Sequence, residues 1–253
     1  MIALITGASA GIGKELATEF AKDKIDLVLV ARREEKMLEH ALFLETTYGV
    51  KVSVIPMDLA APNNAEQLFD EIQKRGFQID FLINNAGFGD SGEFVDSVLT
   101  RQEDMINLNI LSLTKLTRLF GADMKKRNRG TILNVASDAA FRPGPMMSVY
   151  FASKHYVLAF SEAIAEELRP YGVYVCTLCP SSSQSEFGEM AGFGKIDPNS
   201  SNPTSAEVAA FGYSQMKKKK VVFIHGRKIR LRAYLTRVLP KRLVRRWVYR
   251  QMA

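Results

Sequence analysis

The chain opens with MIALITGASAGIG, residues 1–13, in which an apolar run leads directly into three closely spaced glycines. Gly7 permits a tight turn after a first strand, Gly11 permits close approach of the backbone to a ligand, and Gly13 lets the following helix pack against that strand. The open N-terminus of this helix offers N–H groups and the positive end of its dipole to a pyrophosphate. The pattern is a G-x-x-x-G-x-G variant of the dinucleotide fingerprint, with a purely structural turn as the alternative. The residues of this turn predicted to bind the dinucleotide are Gly7, Ser9, Gly11, Ile12 and Gly13.

Beyond this turn, apolar β-branched runs alternate with longer helix-patterned stretches. Strands are predicted near 2–6, 25–31, 51–57, 79–84, 130–136, 172–178 and 221–224. Helices are predicted near 12–23, 34–47, 63–75, 100–127, 150–169 and 204–216. This order predicts an α/β fold in three layers, with helices on both faces of a parallel sheet and ligands bound beyond the carboxyl ends of its strands. The chain has 253 residues and 47% hydrophobic content, so we expect one domain, residues 1–225, followed by a basic helical extension, residues 226–253.

Two arginines, Arg32 and Arg33, follow the second predicted strand, where an NAD-specific protein would place an Asp or Glu on the ribose diol. Arginine pairs well with phosphate through bidentate, charge-assisted hydrogen bonds. We therefore predict NADP(H) as the cofactor, with Arg32 as the first candidate and NAD(H) as the lesser alternative; solvated loop charges are the competing interpretation. Asp58, after the third strand, is predicted either to accept a hydrogen bond from the adenine amino group or to cap the helix entered near Pro62.

Tyr150 and Lys154 stand four residues apart in a predicted helix, so they lie on the same face one turn apart. A free phenol titrates near pH ~10, and a neighbouring cation lowers that pKa by stabilising the phenolate. The pair therefore suits proton transfer. A solvated helix face is the alternative for this spacing alone.

The fourth predicted strand ends in Asn84-Asn85-Ala86-Gly87. The two amides can tie strand ends together, and the glycine leaves room for a ring. We expect Asn84 and Asn85 to serve architecture rather than catalysis.

The glycine turn, the Asn-Asn-Ala-Gly motif and Tyr150-x-x-x-Lys154 together resemble the short-chain dehydrogenase/reductase family, over residues 3 to about 187. The resemblance implies a Rossmann-like, doubly wound sheet of seven strands with cofactor and active site in one domain. It also implies a serine thirteen residues before the tyrosine, which is Ser137, and a helix asparagine. Asn109 fits that asparagine best, and Asn107 is the competing assignment.

These residues have the chemistry that the resemblance implies. Tyr150 would donate a proton to a carbonyl oxygen or take one from an alcohol, and Ser137 would orient and polarise the same oxygen. Lys154 would lower the pKa of Tyr150 and bind the nicotinamide ribose, and Asn109 would hold a water linked to Lys154. The expected activity is NADP(H)-dependent hydride transfer on an apolar ketone, aldehyde or 3-oxoacyl group. The cofactor-binding residues expected from the centre of the chain are Asn85, Ala86, Gly87, Tyr150 and Lys154.

The loop after the sixth strand departs from the family pattern. The family has Pro-Gly and a later threonine, whereas this chain has Pro180-Ser181 and Ser185. We expect Pro180 and Ser185 to contact the cofactor, but a side chain at Ser181 is costly if the backbone there has a positive φ. A regulatory protein that binds the cofactor with little or no turnover is therefore a rival interpretation.

The segment 187–216 is predicted to be a substrate flap, and its first part, 187–203, to be mobile. Phe187, Met190 and Phe193, with nearby glycines and Pro198, suggest an apolar or acyl substrate, although ordinary packing would account for them equally. Thr204 and Glu207 form a predicted capping box.

The C-terminal segment 217–253 contains 14 of the 34 Lys and Arg residues and none of the 27 acidic residues, so the net charge of +7 conceals an acidic body and a basic tail. Apolar residues recur there at helical spacing, and Pro240 is predicted to divide the run into two helices. The interpretations are docking on the body or on a partner subunit, or contact with an anionic membrane by a peripheral lipid enzyme. No nucleic-acid module is recognised, so nucleic acid is not an expected partner.

Cys176 and Cys179 lie in an apolar run, on opposite faces of a strand, so buried strand residues are favoured over a metal or redox pair and no metal is expected. The chain shows no basic leader region and no apolar stretch of spanning length, so we expect a cytoplasmic protein, with peripheral membrane contact as a second expectation. A homodimer or homotetramer, paired through the helices near 100–127 and 150–169, is implied only by the family resemblance.

Overall fold

The computed structural model of the protein describes residues 1–192, 194 and 200–252. Its strands are β1 (Ile2–Thr6), β2 (Asp26–Ala31), β3 (Val52–Pro56), β4 (Phe81–Asn84), β5 (Gly130–Val135), β6 (Val173–Cys179) and β7 (Val222–Ile224). Its α-helices are α1 (Gly11–Lys22), α2 (Glu34–Tyr48), α3 (Asn64–Lys74), α4 (Leu99–Ile106), α5 (Leu113–Lys126), α6 (Ser148–Leu168), α7 (Phe187–Met190), α8 (Ser205–Lys217), α9 (Arg227–Val238) and α10 (Lys241–Met252).

These strands form one parallel sheet in the order β3-β2-β1-β4-β5-β6-β7. Ile5 of β1 lies opposite Leu29 of β2 on one side and Ile83 of β4 on the other. The chain therefore winds outward in both directions from β1. The crevice at the carboxyl ends of β1 and β4 is the topological switch point, where ligands bind in such sheets. The predicted Rossmann-like, seven-stranded fold is confirmed.

Alternate residues of the strands pack into two apolar layers. On one face, β1 and β2 pack against α1 and α8 through Leu16, Phe20 and Val208. On the other face, the sheet packs against α3 and α5 through Leu68 and Phe120. Burial on both faces explains why the strands read as continuous apolar runs rather than as alternating patterns.

One predicted helix differs from the structure. The single helix predicted near 100–127 consists of α4, a π-helical stretch at Asn107–Ser112, and α5. A π-helical turn contains one more residue than an α-helical turn, and such stretches are frequent at functional sites. Asn109 lies in this stretch with a buried side chain. The other predicted elements agree with the structure to within two residues at each end.

The two cysteines lie on opposite sides of the sheet. Cys176 packs in the layer that contains α1 and α8, and Cys179 packs with Val157 of α6. Both are buried and free, which confirms their interpretation as strand residues.

The C-terminal extension forms α9 and α10, which are separated at Leu239 and Pro240, as the proline predicts. Its inner side docks on the body. Ala233 belongs to a buried apolar cluster that also contains Leu113 and Val157, and the Thr236 hydroxyl donates to the Phe141 carbonyl oxygen at 2.9 Å. Across the described ranges of the chain, no helix combines the length and the apolar character needed to cross a bilayer.

Candidate active site

A cavity of about 1400 Å³ opens at the carboxyl ends of the central strands. The turns after β1, β2, β4, β5 and β6 all contribute to it, because the carboxyl ends of parallel strands share one edge of the sheet. The predicted site residues that line it are Gly7, Ser9, Gly11, Ile12, Arg32, Arg33, Asp58, Asn85, Ala86, Gly87, Ser137, Tyr150, Lys154, Pro180 and Ser185. Gly13 and Asn109 lie behind this lining layer.

The glycine turn is built by close backbone packing. Gly7 has a φ of +66°, and a Cβ there would lie 2.8 Å from Asn85 Nδ2. A Cβ on Gly13 would lie 2.4 Å from the Gly7 carbonyl oxygen, so only glycine lets α1 approach β1 this closely. The residue before α1, Ala10, has no polar side chain to cap the first amide N–H groups. Those N–H groups therefore remain free to bind an anion.

The Asn-Asn motif ties neighbouring strands together, as predicted. Asn84 Nδ2 donates to Asn134 Oδ1 at 2.8 Å and to Thr117 Oγ1 at 3.1 Å. Asn85 Nδ2 donates to the Thr6 carbonyl oxygen at 3.0 Å. These bonds hold the ends of β1, β4 and β5 at a fixed spacing below the cavity.

The two arginines after β2 differ in availability. Arg33 Nε donates to Ser9 Oγ at 3.2 Å, and Arg33 Nη1 pairs with Glu186 at 2.6 Å. The side chain of Arg32 is 69% exposed, and its closest carboxylate oxygen, Asp58 Oδ2, is 3.8 Å away. Arg32 is thus the guanidinium that is freer to bind a phosphate.

Asp58 does not cap a helix. Its Oδ1 accepts a hydrogen bond from the Ala60 N–H at 3.0 Å, whereas α3 begins only at Asn64. The cap alternative is wrong because the chain makes a local turn around Pro62 before the helix starts.

Lys154 is buried against the end of β5. Its Nζ donates to the Val135 carbonyl oxygen at 2.9 Å and lies 5.8 Å from the centre of the Tyr150 ring. Burial disfavours the ammonium form and lowers the pKa of Lys154 to about 8. A Cβ on Gly87 would lie 3.5 Å from this Nζ, so the glycine keeps the space above the amine open.

The pKa of Tyr150 shifts in the direction opposite to the predicted one. Tyr150 is buried, and loss of hydration raises its pKa above the ordinary value, while a hydrogen bond with Ser137 acts in the lowering sense. Lys154 does not offset this effect, because its Nζ donates to the Val135 carbonyl oxygen and lies 5.8 Å from the centre of the Tyr150 ring. At neutral pH Tyr150 is therefore a neutral phenol, which can donate its proton.

Ser137 begins a short 3₁₀ turn, Asp138–Phe141, at the end of β5. Its Oγ accepts from the Ala139 N–H at 3.1 Å and donates to Asp138 Oδ1 at 3.3 Å. The Asp138 carboxylate is buried and pairs with Arg142 at 2.9 Å and with Arg232 of α9 at 2.6 Å. Asp138 and Arg142 are four positions apart, but local sequence carries no signal for the contact with Arg232, which lies 94 positions from Asp138.

Asn109 joins the loop after β4 to α6. Its Nδ2 donates to the Phe88 carbonyl oxygen at 3.0 Å and to Ser153 Oγ at 3.1 Å, and its Oδ1 accepts from the Phe88 N–H. A Cβ on Gly87 would lie 2.9 Å from Asn109 Oδ1, which places Asn109 beside the Lys154 region. The side chain of Asn109 is therefore engaged by protein groups, whereas Asn107 lines the cavity. The water-holding role of Asn109 stays a prediction.

Ser181 does not have the positive φ that would strain the backbone of a non-glycine residue at this position. Among the described residues, the non-glycine positions with positive φ are Lys24, Asn63, Asn128, Met146 and Lys219. Ser181 is absent from this set, and its Oγ lies 3.3 Å from Nδ1 of His225, a neighbour that the sequence did not indicate. The serine fits the loop without backbone strain.

The segment after Ser185 covers one end of the cavity. Phe187 of α7 packs on Tyr150 with ring centres 5.2 Å apart. The capping box of Thr204 and Glu207 is present, as predicted. Phe193 and Pro198 lie outside the described residues, and the mobility of the flap stays a prediction.

The C-terminal extension also reaches the cavity, which the sequence did not indicate. Gln251 and Met252 of α10 line it. Met252 packs against the buried apolar cluster that includes Met147, Tyr150 and Phe151. The tail is therefore part of the site as well as a basic surface.

Comparison with known proteins identifies consistent similarities. Residues 1–191 match the family model described as short chain dehydrogenase. The chain is 37% identical over 185 residues to 17-beta-hydroxysteroid dehydrogenase type 3 of Mus musculus, a match that covers 71% of this chain and 59% of the mouse protein. It is 34% identical over 187 residues to the very-long-chain 3-oxoacyl-CoA reductase of Homo sapiens, with 70% and 58% covered. The matches thus span less than two thirds of these curated relatives.

Two solved structures superpose on nearly the whole of this chain. A short-chain dehydrogenase from Sphingobium yanoikuyae, solved in complex with NADPH, superposes with a TM-score of 0.83 at 32% identity, covering 95% of this chain and 96% of that chain. The bulky-bulky ketone specific alcohol dehydrogenase from Comamonas testosteroni superposes with a TM-score of 0.80 at 28% identity, covering 95% of each chain.

Proposed function

The chain belongs to the short-chain dehydrogenase family of oxidoreductases, and from that premise we propose an NADP(H)-dependent enzyme that interconverts a carbonyl and an alcohol on an apolar substrate. The observation that carries the proposal is the convergence of Ser137, Tyr150 and Lys154 with the glycine turn in one cavity. A proton donor, an oxygen-orienting hydroxyl and an anion-binding helix end are the groups that carbonyl reduction requires from the protein.

The cavity fits a phosphorylated dinucleotide in two respects. The uncapped N–H groups at the start of α1 suit a pyrophosphate, and the exposed guanidinium of Arg32 suits an additional phosphate on the ribose. The similar Sphingobium protein was solved with NADPH, which supports this choice. When bound, the nicotinamide would supply or accept the hydride.

The side chains of this chain would handle the proton. In reduction, the Tyr150 hydroxyl donates its proton to the carbonyl oxygen while the carbonyl carbon gains the hydride, so the product is an alcohol and Tyr150 becomes a phenolate. Ser137 Oγ holds the same oxygen by a hydrogen bond. Lys154, with a pKa of about 8, carries a proton at neutral pH that can restore the phenol. Oxidation runs these transfers in reverse.

The substrate end of the cavity is largely apolar, with the guanidinium groups of Arg101 and Arg142 beside the rings of Phe88 and Phe151. Its walls include Phe88, Met147, Phe151, Phe187 and Met252. Such a lining favours a hydrophobic ketone, aldehyde or 3-oxoacyl chain over a sugar, because an apolar wall leaves hydroxyl groups without hydrogen-bond partners. The steroid and 3-oxoacyl-CoA names of the similar proteins point to the same class.

The test is a binding titration with NADPH and with NADH, followed by a panel of apolar ketones, aldehydes and 3-oxoacyl thioesters with the preferred cofactor. We expect NADPH to bind more tightly and to be oxidised by at least one carbonyl compound. Tyr150→Phe should still bind NADPH but lose turnover by at least about a hundredfold.

Two outcomes would contradict the proposal. Normal turnover by Tyr150→Phe would refute the acid–base assignment. NADPH binding without turnover across the panel would favour a regulatory protein that binds the cofactor. The backbone at Ser181 does not support that alternative, because it lacks the positive φ that would disturb cofactor binding.

A further inference from the structure

The outer side of the C-terminal extension carries an apolar stripe that faces solvent. On α9, Leu231, Tyr234, Leu235 and Val238 are 61%, 58%, 46% and 79% exposed. Positions i, i+3, i+4 and i+7 share one face of a helix, and a stripe of this kind ordinarily packs against a core. Here the inward positions are occupied instead by residues such as Ala233, which is 5% exposed.

The second helix continues the exposed apolar surface. Leu243 and Trp247 lie one turn apart on α10 and are 58% and 41% exposed, whereas Val244 and Val248 point inward and are buried. Leu239, between the helices, is 46% exposed. Together these exposed apolar residues form the outer tail surface, which consists of Leu231, Tyr234, Leu235, Val238, Leu239, Leu243 and Trp247.

Basic residues surround this outer tail surface, and no acidic residue occurs anywhere in 217–253. The exposed basic residues of the two helices are Arg227, Lys228, Arg230, Lys241, Arg242, Arg245, Arg246 and Arg250. Among the side chains of α9 and α10 that the structure describes, only Arg232 forms an ion pair, and its partner is Asp138. The positive charge of the surface is thus largely uncompensated by the protein.

We propose that the outer tail surface binds the surface of an anionic lipid bilayer. Apolar and aromatic side chains can enter the headgroup region while neighbouring lysines and arginines bind anionic lipid headgroups. A second copy docked through the same surface would bring two uncompensated positive surfaces together, which disfavours self-association. The body, with 20 basic and 27 acidic residues, is repelled by the same lipids, so the charge distribution orients the molecule with its tail towards the bilayer.

The position of α10 makes this orientation consequential. The helix that presents Leu243 and Trp247 outward also places Gln251 and Met252 in the cavity wall. Docking would therefore set the apolar end of the cavity next to the bilayer. Any supply of an apolar substrate from the bilayer to the cavity rests on the proposed function, whereas the binding of the tail to the bilayer does not.

The experiment is sedimentation of the full-length protein with vesicles of phosphatidylcholine alone or of phosphatidylcholine mixed with phosphatidylserine, at low and at physiological salt. We expect strong partitioning onto the anionic vesicles, weak partitioning onto the neutral ones, and weaker binding as salt rises. No binding to anionic vesicles would overturn the proposal, whatever the result of the cofactor and turnover assays.

Two tail variants separate the apolar and electrostatic contributions. Arg242→Glu/Arg246→Glu should lower anionic binding by about twentyfold or more, because each basic residue near the headgroups strengthens binding about fivefold. Leu235→Ser/Trp247→Ser should lower binding at both salt concentrations. All four positions are exposed, so circular dichroism should show native folding.

Matched controls on the body make the result specific. Lys74→Glu/Lys126→Glu changes the net charge by the same amount at exposed positions, and Leu42→Ser/Val95→Ser removes apolar residues that are 64% and 82% exposed. These variants should bind as the wild type does. Equal losses in tail and body variants would reduce the effect to net charge and overturn the proposal. So would tail variants that convert a dimer to a monomer in size-exclusion chromatography while leaving vesicle binding unchanged.

Discussion

Replacing Arg232 by methionine should weaken both the fold and turnover, because this arginine connects the C-terminal extension to a buried carboxylate beside Ser137. Arg232 Nη2 lies 2.6 Å from Asp138 Oδ2, and Arg142 Nη1 lies 2.9 Å from the same oxygen. The other oxygen, Asp138 Oδ1, accepts the hydrogen bond of Ser137 at 3.3 Å. A change in the carboxylate position therefore moves the Ser137 hydroxyl, which is proposed to hold the substrate oxygen.

The magnitude follows from burial. Breaking a fully buried ion pair costs about 3–5 kcal/mol, and a hydrogen bond to a charged group contributes about 1.5–3 kcal/mol. The Asp138 side chain is 11% exposed, but Arg232 is 31% exposed, and Arg142 still pairs with the carboxylate after the substitution. We therefore expect a loss of about 1.5 kcal/mol in the free energy of unfolding, or about 3–6 °C in Tm for a chain of this size.

The assay combines thermal unfolding with steady-state kinetics. Arg232 is a positioning residue, so kcat should fall while the affinity for NADPH stays unchanged. The matched control is Arg230→Met, which removes an exposed arginine from the same helix. In an Asp138→Asn background, Arg232→Met should cost less than half as much as in the wild type.

Equal effects of Arg232→Met in the wild-type and Asp138→Asn backgrounds would refute the coupling. A Tm for Arg232→Met that matches the Tm of Arg230→Met would refute the energetic argument, because the buried pair would then be worth no more than a surface charge.

Three further predictions concern the cavity. Gly13→Ala should lower stability by about 1–3 kcal/mol or more and abolish cofactor binding, since its Cβ would lie 2.4 Å from the Gly7 carbonyl oxygen. Gly188→Ala, whose Cβ would meet no other part of the fold within 4 Å, should leave stability unchanged, and native melting of Gly13→Ala would contradict this packing. Arg32→Ala should weaken NADPH binding about 10–100-fold and NADH binding little, as measured by fluorescence titration, and equal losses for both cofactors would exclude a phosphate contact. For Lys154, the pKa of about 8 in the folded state lies below the ordinary lysine value of 10.5, so the unfolded chain binds more protons between these pH values. The unfolding free energy of the wild type should therefore rise relative to that of Lys154→Met between pH 8 and pH 10.5, by up to about 3 kcal/mol in denaturant titrations. A difference between the two proteins that does not change with pH would show that Lys154 titrates normally.

Much of the site could be predicted because its residues are close in sequence or recur at regular spacing. The glycine turn specifies a strand, a turn and a helix within 13 residues, and Tyr150 and Lys154 share a helix face one turn apart. Steric exclusion of a Cβ and helical periodicity are local constraints, so they can be recognised in the sequence before the fold is known. The seven strands were likewise predictable, since each is a short apolar run bounded by turn residues.

The π-helical stretch at Asn107–Ser112 shows where local reasoning ends. Its residues have an ordinary helical pattern, yet the side chain of Asn109 within it bonds to Phe88 and Ser153. The partners come from two other segments of the chain. Helix propensity alone therefore predicted one continuous helix.

The sequence alone was sufficient for the parallel sheet, for the family and for the choice of the residues proposed to transfer protons, because these depend on periodicity and on short motifs. Only the folded structure decided the environment of those residues. Burial raises the pKa of Tyr150 despite the nearby lysine, and Asp138 meets an arginine 94 positions away. It likewise decided which side of the basic tail faces the body and which faces solvent. Desolvation and long-range ion pairing depend on which groups the whole chain brings together, and that information is not contained in any single segment.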